Sequence, residues 1–551
     1  MRRSCRAVLL VLLAIGLPAR AAGAPSDTVD VAVFAINDLH GNLMPPPGGI
    51  ALPDPADPAH KQAIAAGGVA YMATMIRGLR AQHANSVFVA AGDLIGASPL
   101  LSGLFHDEPT VQSLSLMGLE FSAVGNHEFD KGAAELLRMQ NGGCHPVDGC
   151  KGPTPFTGAT FRYLAANTIV AKTGKTLFPP YAIKTFDGIP VAFIGVTLKD
   201  APAIIAPASA AGLEFRDEAD SVNALVPVLR ARGIEAIVVL IHQGGEQSGG
   251  PDDCTGFKGA IADIVRKFDK AVDVVVSGHT HRAYNCVIDG RVVTSAHRYG
   301  TLVTEIDLKL DRKTHDVASA AAHNLVVRDE ALSPDPAQMK LIAAYDALSA
   351  PLAGRVAGRV TATVPEKANA AGESALGDLI ADSELAAAAP AHAQIAFVNS
   401  GGIRTDLVAA ADGTVTYGDL FSVLPFGNAL VTETLSGRAI ARLLEQQWAD
   451  PSEVKILQPS AGFTYTWRAS RPAGAKVVPG TIRLNGRPIQ PGALYRVAVP
   501  DFLATGGDGF TVLAAGTGKT PGGPCIDALE SYLRARSPLT PKTAGRITRR
   551  D

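Results

Sequence analysis

Gly125-Asn126-His127-Glu128-Phe129-Asp130 is the stretch on which the reading of this chain turns. It follows a short, mostly apolar run, 120–124, that reads as a buried strand closed by a glycine. A loop that opens at a strand end and carries an amide, an imidazole and two carboxylates has the composition of a reaction site. Asparagine offers a cation a neutral carbonyl oxygen, and His127 and Asp130, three apart, can pair so that the carboxylate orients the ring. The plain alternative is a polar turn whose Asn126 caps the next helix. A short motif decides nothing until its surroundings agree.

The surroundings repeat the pattern. Asp30 to Ile36 reads as a strand and ends in Asn37-Asp38-Leu39-His40. Residues two apart in extended chain share a face, so Asp38 and His40 can reach one cation. Val87 to Ala91 closes with Gly92-Asp93. Two carboxylates at neighbouring buried strand ends repel unless a cation lies between them, which makes Asp93 a candidate bridging ligand. Ala236 to Ile241 runs into His242, and Asp273 to Ser277 into Gly278-His279-Thr280-His281. A lone strand-end histidine is more often structural than a ligand. Five strand ends carrying such groups argue otherwise, because strand ends in layered α/β sheets meet at one crevice. Helical spacing over Gly67 to Arg80 and a helix over Ala219 to Arg232 supply the intervening layers, and Pro45 to His60 reads as a surface loop.

These blocks, over roughly residues 30 to 310, resemble those of the calcineurin-like metallophosphoesterases. The resemblance implies a four-layer αββα sandwich and two divalent ions. One would be held by Asp38, His40, Asp93 and His281, the other by Asp93, Asn126, His242 and His279. In some relatives the last position of the Gly-His-x-His block is an amide; here it is His281. The Asp, Asn and His set suits zinc, manganese or iron, and spacing does not choose among them. Neighbouring side chains diverge, so with Asn126 as ligand the expected role of His127 is proton donor to, or stabiliser of, the leaving oxygen, oriented by Asp130.

Beyond residue 330 the character changes. Ser333-Pro334 is expected to open a linking helix over 333–354, with Leu341, Tyr345, Leu348 and Leu352 as its apolar face. Gln394 to Val398 reads as a strand running into Asn399-Ser400-Gly401-Gly402-Ile403-Arg404; glycine admits close approach of a ligand and arginine offers a planar fork to an anion. Leu424 to Asn428 and Asp501 to Phe510 each set a phenylalanine in a turn beside polar groups, where core packing is the competing explanation. From about residue 356 to 535 these blocks resemble the C-terminal domain of secreted 5'-nucleotidases, a group that includes UDP-sugar hydrolases and 2',3'-cyclic-nucleotide phosphodiesterases. The resemblance implies a second, α+β, substrate-binding domain. There Phe426 and Phe502 sandwich the base, Asn428 bonds its edge, Asp508 the ribose, and Asn399 and Arg404 lie near the phosphate. An additional phosphate-binding arginine of relatives is missing: 365–373 offers only Lys367.

The expected domains are a leader at 1–24, a catalytic domain at 27–330, the linking helix at 333–354 and a nucleotide-binding domain at 356–551. Arg2, Arg3 and Arg6 before the apolar Ala7 to Leu17 and small residues at 19–24 have the order of a secretory signal peptide, implying a periplasmic or secreted protein. Export makes Cys144–Cys150 and Cys254–Cys286 plausible bridges and leaves Cys525 over. Lys plus Arg number 50 against 52 Asp plus Glu, which argues against a partner that is a nucleic-acid polymer or an anionic membrane. No apolar tail offers a stable anchor. The function expected is release of phosphate from nucleotides, foremost nucleoside 5'-monophosphates, with cyclic-nucleotide or UDP-sugar hydrolysis as the alternative. From another class stands a noncatalytic nucleotide-binding surface protein. Oligomeric state is not encoded in any of these features.

Overall fold

Strands covered on both faces need near-continuous apolar sequence, and Thr28–Ile36 meets that need at the centre of the first half. It pairs in parallel with Ser86–Ala90 and antiparallel with Leu302–Asp311. Phe121–Ala123 and Arg162–Leu164 extend the parallel side and Val317–Val326 the other, giving six strands. A second six-stranded sheet runs Ala283–Ile288, Arg291–Ala296, Val274–Ser277, Ala236–His242, Ile189–Thr197, Tyr181–Phe186 in spatial order. This is a computed structural model describing residues 26–54, 57, 60–450 and 454–551; the expected leader at 1–24 lies outside the described residues.

Alternation along each strand sorts side chains into layers. Val31, Val33 and Val89 of the first sheet meet Val191, Phe193, Val238 and Val276 of the second in one buried core. The opposite face of the first sheet, with Phe34 and Phe88, is covered by Val69–Arg80 and Glu108–Met117 through Met72, Ile76, Val111 and Leu114. Ile194 and Val239 on the far face of the second sheet lie under Glu218–Arg230 and Ala260–Lys267. Helix, sheet, sheet and helix thus stack in four layers. Each fully buried side chain of this kind contributes roughly 1.5–3 kcal/mol by leaving water, so the central strands are clamped from both sides.

The parallel register brings the functional loops to one edge. Ile36 stands beside Ala90 and Ala90 beside Ser122 in the first sheet; Thr197 stands beside His242 and Ile241 beside Ser277 in the second.

Two expectations need correction. The 45–60 loop contains the strand Ile50–Pro53, paired antiparallel with Lys61–Ile64, and Ile50 and Ile64 bury against Ala296 and Leu302. Proline and glycine signalled turns there, but a four-residue strand is too short to register as a periodicity. The expected 333–354 helix spans Pro336–Ala353, and its cap is Asp335, not Ser333. The Asp335 carboxylate accepts from Ala337 N at 2.9 Å and Gln338 N at 3.1 Å, while Pro336 occupies a first-turn position where no N–H is needed. Its buried face is Gln338, Ile342, Tyr345 and Ser349; Leu348, expected inside, is 49% exposed. A polar pairing turns the helix this way: Gln338 Nε2 donates to Ser113 O and its Oε1 accepts from Ser113 Oγ. The helix packs mainly on the first half, with Ile342 in that core and the Tyr345 ring 4.8 Å from Phe105.

The second half is a five-stranded sheet in the order Leu457–Pro459, Ile395–Asn399, Leu494–Pro500, Ala429–Ser436, Thr517–Pro524. Ala375–Ala387, capped by Ser374 Oγ accepting from Gly377 N, packs with Cys525–Arg536, and Gly437–Gln446 packs into a separate core cluster with Ile395, Phe397 and Val499. Both expected disulfides, Cys144–Cys150 and Cys254–Cys286, are present, and Cys525 is free and buried. Among the described residues no helix is long and apolar enough to cross a membrane.

Candidate active site

The five strand-end loops bring the expected ligands together. Asp38, His40 and His281 form one cluster and Asp93, His242 and His279 another, each with ligand atoms within 4.8 Å of one another. His40 Nδ1 lies 2.9 Å from Gly96 O and His242 Nδ1 2.7 Å from Ala91 O. A carbonyl only accepts, so both Nδ1 atoms carry a proton and both Nε2 atoms are the ones turned to the site to meet a cation. Those atoms converge on one region: His40 Nε2 is 3.0 Å from His281 Nε2, and His242 Nε2 is 3.0 Å from Asp93 Oδ2 and 3.2 Å from Asn126 Oδ1. Asp93 Oδ2 also stands 3.7 Å from His40 Nε2, between the two clusters. Converging lone pairs from carboxylates, an amide oxygen and neutral imidazoles fit divalent cations.

The backbone is bent to do this. Asp38, His40, Asp93, His279 and His281 all hold positive φ, between 48° and 72°, a region L-residues seldom adopt and one that clusters at functional sites. Gly125 is required by proximity instead: a Cβ there would run into Asp93 Oδ1 and stand 2.8 Å from Glu128 Oε2. Glu128, to which sequence assigned no role, is the clasp of the site. Its carboxylate accepts from Asp93 N, Leu94 N and Gly125 N at 2.9, 2.8 and 2.7 Å, tying two ligand loops together. Asn37, likewise unassigned, donates to Asp38 Oδ2 at 2.6 Å and to His297 O at 2.7 Å.

Burial raises the Asp38 carboxyl, with His242 pulling the other way. Burial acts alike on Asp93, but His242, His127 and His40 outweigh it and hold Asp93 well below the usual carboxylate range. Against the same burial, Asp93 pushes His242 up to about 10. Burial depresses His40 and His281 far below the usual imidazole value, and burial with the charge of His242 takes His279 to about 4. Three imidazoles are therefore neutral and ready to ligate at pH 7, while the proton on His242 is one that a cation would displace.

His127 sits at the rim. Its Nδ1 is 2.9 Å from Asp130 Oδ2, and its backbone N donates to Asp93 Oδ1 at 2.9 Å. Burial works against its charge, but Asp130 and Asp93 prevail and raise it above the ordinary imidazole value. From the second half Phe426 stacks on this ring, centroids 5.7 Å apart and planes 21° from parallel. The Arg404 guanidinium lies 5.8 Å over the Phe426 ring. Asn399 Nδ2 donates to Asp508 Oδ2 at 2.7 Å. Asn399, Phe426 and Asn428 line one cavity with Glu384 and Cys525; Phe502, half-buried with its ring against Gly507, is not part of that lining.

A four-layer sandwich whose sheet edges gather Asp, Asn and His into two adjoining candidate metal-ligand clusters defines the metallophosphoesterase class. Sequence comparison agrees. The model of the calcineurin-like phosphoesterases matches residues 31–283, and that of the 5'-nucleotidase C-terminal domain matches residues 354–515. The endonuclease YhcR of Bacillus subtilis is 31% identical over 540 residues, 95% of this chain, which spans 41% of that relative's length. A 5'-nucleotidase of Vibrio parahaemolyticus is 25% identical, with 86% of each chain covered. The solved 5'-nucleotidase precursor of Thermus thermophilus superposes with a TM-score of 0.78 at 28% identity, covering 94% of this chain and 99% of that one. The chain belongs to the two-domain family that joins a calcineurin-like phosphoesterase to a 5'-nucleotidase C-terminal domain, a family of metal-dependent phosphoester hydrolases.

Proposed function

We propose that this protein is an exported phosphohydrolase that releases phosphate from nucleotides, foremost nucleoside 5'-monophosphates. The observation carrying this reading is the stacking of Phe426, from the second half, on His127 at the rim of the ligand cluster. It sets a π-face and the Arg404 guanidinium beside the point where a leaving oxygen would be protonated.

Asp38, His40, Asp93 and His281 would hold one cation and Asp93, Asn126, His242 and His279 the other. When bound, such a pair supplies an activated water and offsets charge on the phosphoryl oxygens. The chain's own residues do the rest. His127 keeps Nδ1–H on Asp130 Oδ2, which leaves Nε2 to deliver a proton to the departing ribose oxygen. Asp130 beside the ring favours the protonated form of His127. Phe426 and Phe502 offer faces to the base, Asn428 its edge, Asn399 and Asp508 the ribose side, and Arg404 the phosphate. The two disulfides fit an oxidising compartment.

The test is a substrate panel on purified protein with its metal content measured: AMP, 2',3'-cyclic AMP, UDP-glucose, p-nitrophenyl phosphate and a short single-stranded RNA. Fastest phosphate release from AMP is expected. The RNA arm addresses the relative named as an endonuclease; the even charge balance of 50 basic against 52 acidic residues predicts no cleavage. No turnover of any ester with the ions present would leave the noncatalytic binding role.

A further inference from the structure

Two arginines lie beside the ligand cluster, one from each half: Arg298 against His281, and Arg404 over the Phe426 ring that stacks on His127. Arg404 follows the short helical turn Ser400–Gly402 of the second half. Arg298 belongs to the turn after the strand Arg291–Ala296 of the first half, in a segment that sequence reading passed over. Asn37 fixes that turn by accepting from Ala296 N and donating to His297 O, both at 2.7 Å, and His297 and Tyr299 hold φ of 63° and 60°. The Arg298 guanidinium lies over the Tyr299 ring, 4.6 Å from its centroid, with Nη1 3.4 Å from His281 Nδ1. The Tyr299 ring is 6.0 Å from both the His40 and the His281 rings.

Positive charge beside a cluster shaped for two cations is unfavourable unless an anion joins it. Both arginines lie near enough to act on the half-buried Glu366. Yet among the described residues neither guanidinium has a carboxylate at ion-pair distance, and Arg404 Nε is buried without an acceptor. Buried arginine donors are ordinarily paired. Stacking on Tyr299 holds the Arg298 fork in one plane at little cost in entropy, the arrangement suited to bidentate recognition of phosphate.

We propose that Arg298 is a substrate-contacting arginine that, opposite Arg404, grips the non-bridging oxygens of a terminal phosphate and so favours a dianionic monoester over a monoanionic diester. This rests on the phosphohydrolase reading above. A terminal monoester carries close to two negative charges at neutral pH and three free oxygens; a cyclic or internal diester offers one charge and two. The extra oxygen and charge are what a second guanidinium rewards.

The experiment compares the wild type with Arg298→Gln and Arg298→Lys as full-length, metal-loaded protein. AMP and p-nitrophenyl phosphate serve as monoesters, 2',3'-cyclic AMP and bis(p-nitrophenyl) phosphate as diesters, with metal content by elemental analysis and inorganic phosphate binding by calorimetry. Arg298→Gln is expected to raise KM for both monoesters and weaken phosphate binding about 10- to 100-fold, to change the diesters less than about threefold, and to leave the metal content unchanged; Arg298→Lys recovers part of the loss. Equal effects on both ester classes, unchanged phosphate affinity, or loss of metal would overturn the proposal and leave Arg298 a support for His281. Should AMP prove inert while p-nitrophenyl phosphate shows the selective loss, the nucleotide reading falls and the Arg298 assignment stands.

Discussion

Asp38, Asp93, Asn126, His242 and His279 leave the chain within three residues of the carboxyl end of a buried strand, and their backbones are held by both sheets. Arg404, Phe426, Phe502 and Asp508 leave from turns and short helical segments, and all are half-buried. The first group has to present lone pairs to cations with little tolerance for error, which rigid elements provide. Under the proposed function the second receives a substrate and lets a product go, which suits loops set on a scaffold. Strain follows the same division: five candidate ligands hold positive φ, against Asp508 alone among the residues proposed to face the nucleotide.

Four variants break or sharpen this contrast. Asp93→Asn removes the carboxylate that lies between the two clusters, and turnover on every substrate is expected to fall to the assay background with a lower metal content. Near-normal turnover would dissolve the picture of a bridged pair. His127→Ala should lower kcat by roughly 10²–10⁴-fold while elemental analysis finds the ions retained; if the ions leave, His127 belongs with the ligands.

On the other side of the contrast, Phe426→Ala combined with Phe502→Ala should raise KM for AMP roughly tenfold or more and spare p-nitrophenyl phosphate. Equal losses on both substrates would make the rings part of the scaffold. The smallest effect concerns stability. Glu384 is fully buried beside the buried Cys525 thiol, and burial pushes its carboxyl from 4.5 up to about 8. A carboxyl that holds its proton longer when folded favours the folded state fully below its unfolded value. That advantage is lost as pH rises towards the folded one. Glu384→Gln should therefore gain stability over the wild type between pH 5 and pH 8, of the order of a few kcal/mol at most, read as a growing difference in Tm. A gain equal at both pH values would show that this acid does not titrate with folding.

The blocks around Asp38, Asp93, Asn126, His242 and His279 were legible because each is a local event, an apolar strand ending in a glycine-bearing polar turn, repeated until chance became a poor account. The Cys144–Cys150 bridge was legible because it closes one short loop, whereas Cys254–Cys286 joins a loop to a strand 32 residues on and was legible only through the expectation of export. The Pro336–Ala353 helix was legible in extent but not in orientation. Periodicity proposes an apolar face, and only the neighbour, here Ser113 waiting for Gln338, decides which face wins.

From sequence alone came the layered α/β class, the ligand types and the order in which the strands deliver them, since residue type and period govern local structure directly. Tertiary structure alone decided that Glu128 clasps two loops, that Phe426 lies on His127 and that Arg298 faces the cluster without a counter-charge. Those features depend on where distant segments meet, and the meeting is set by the packing of two sheets and two halves, which no local pattern records.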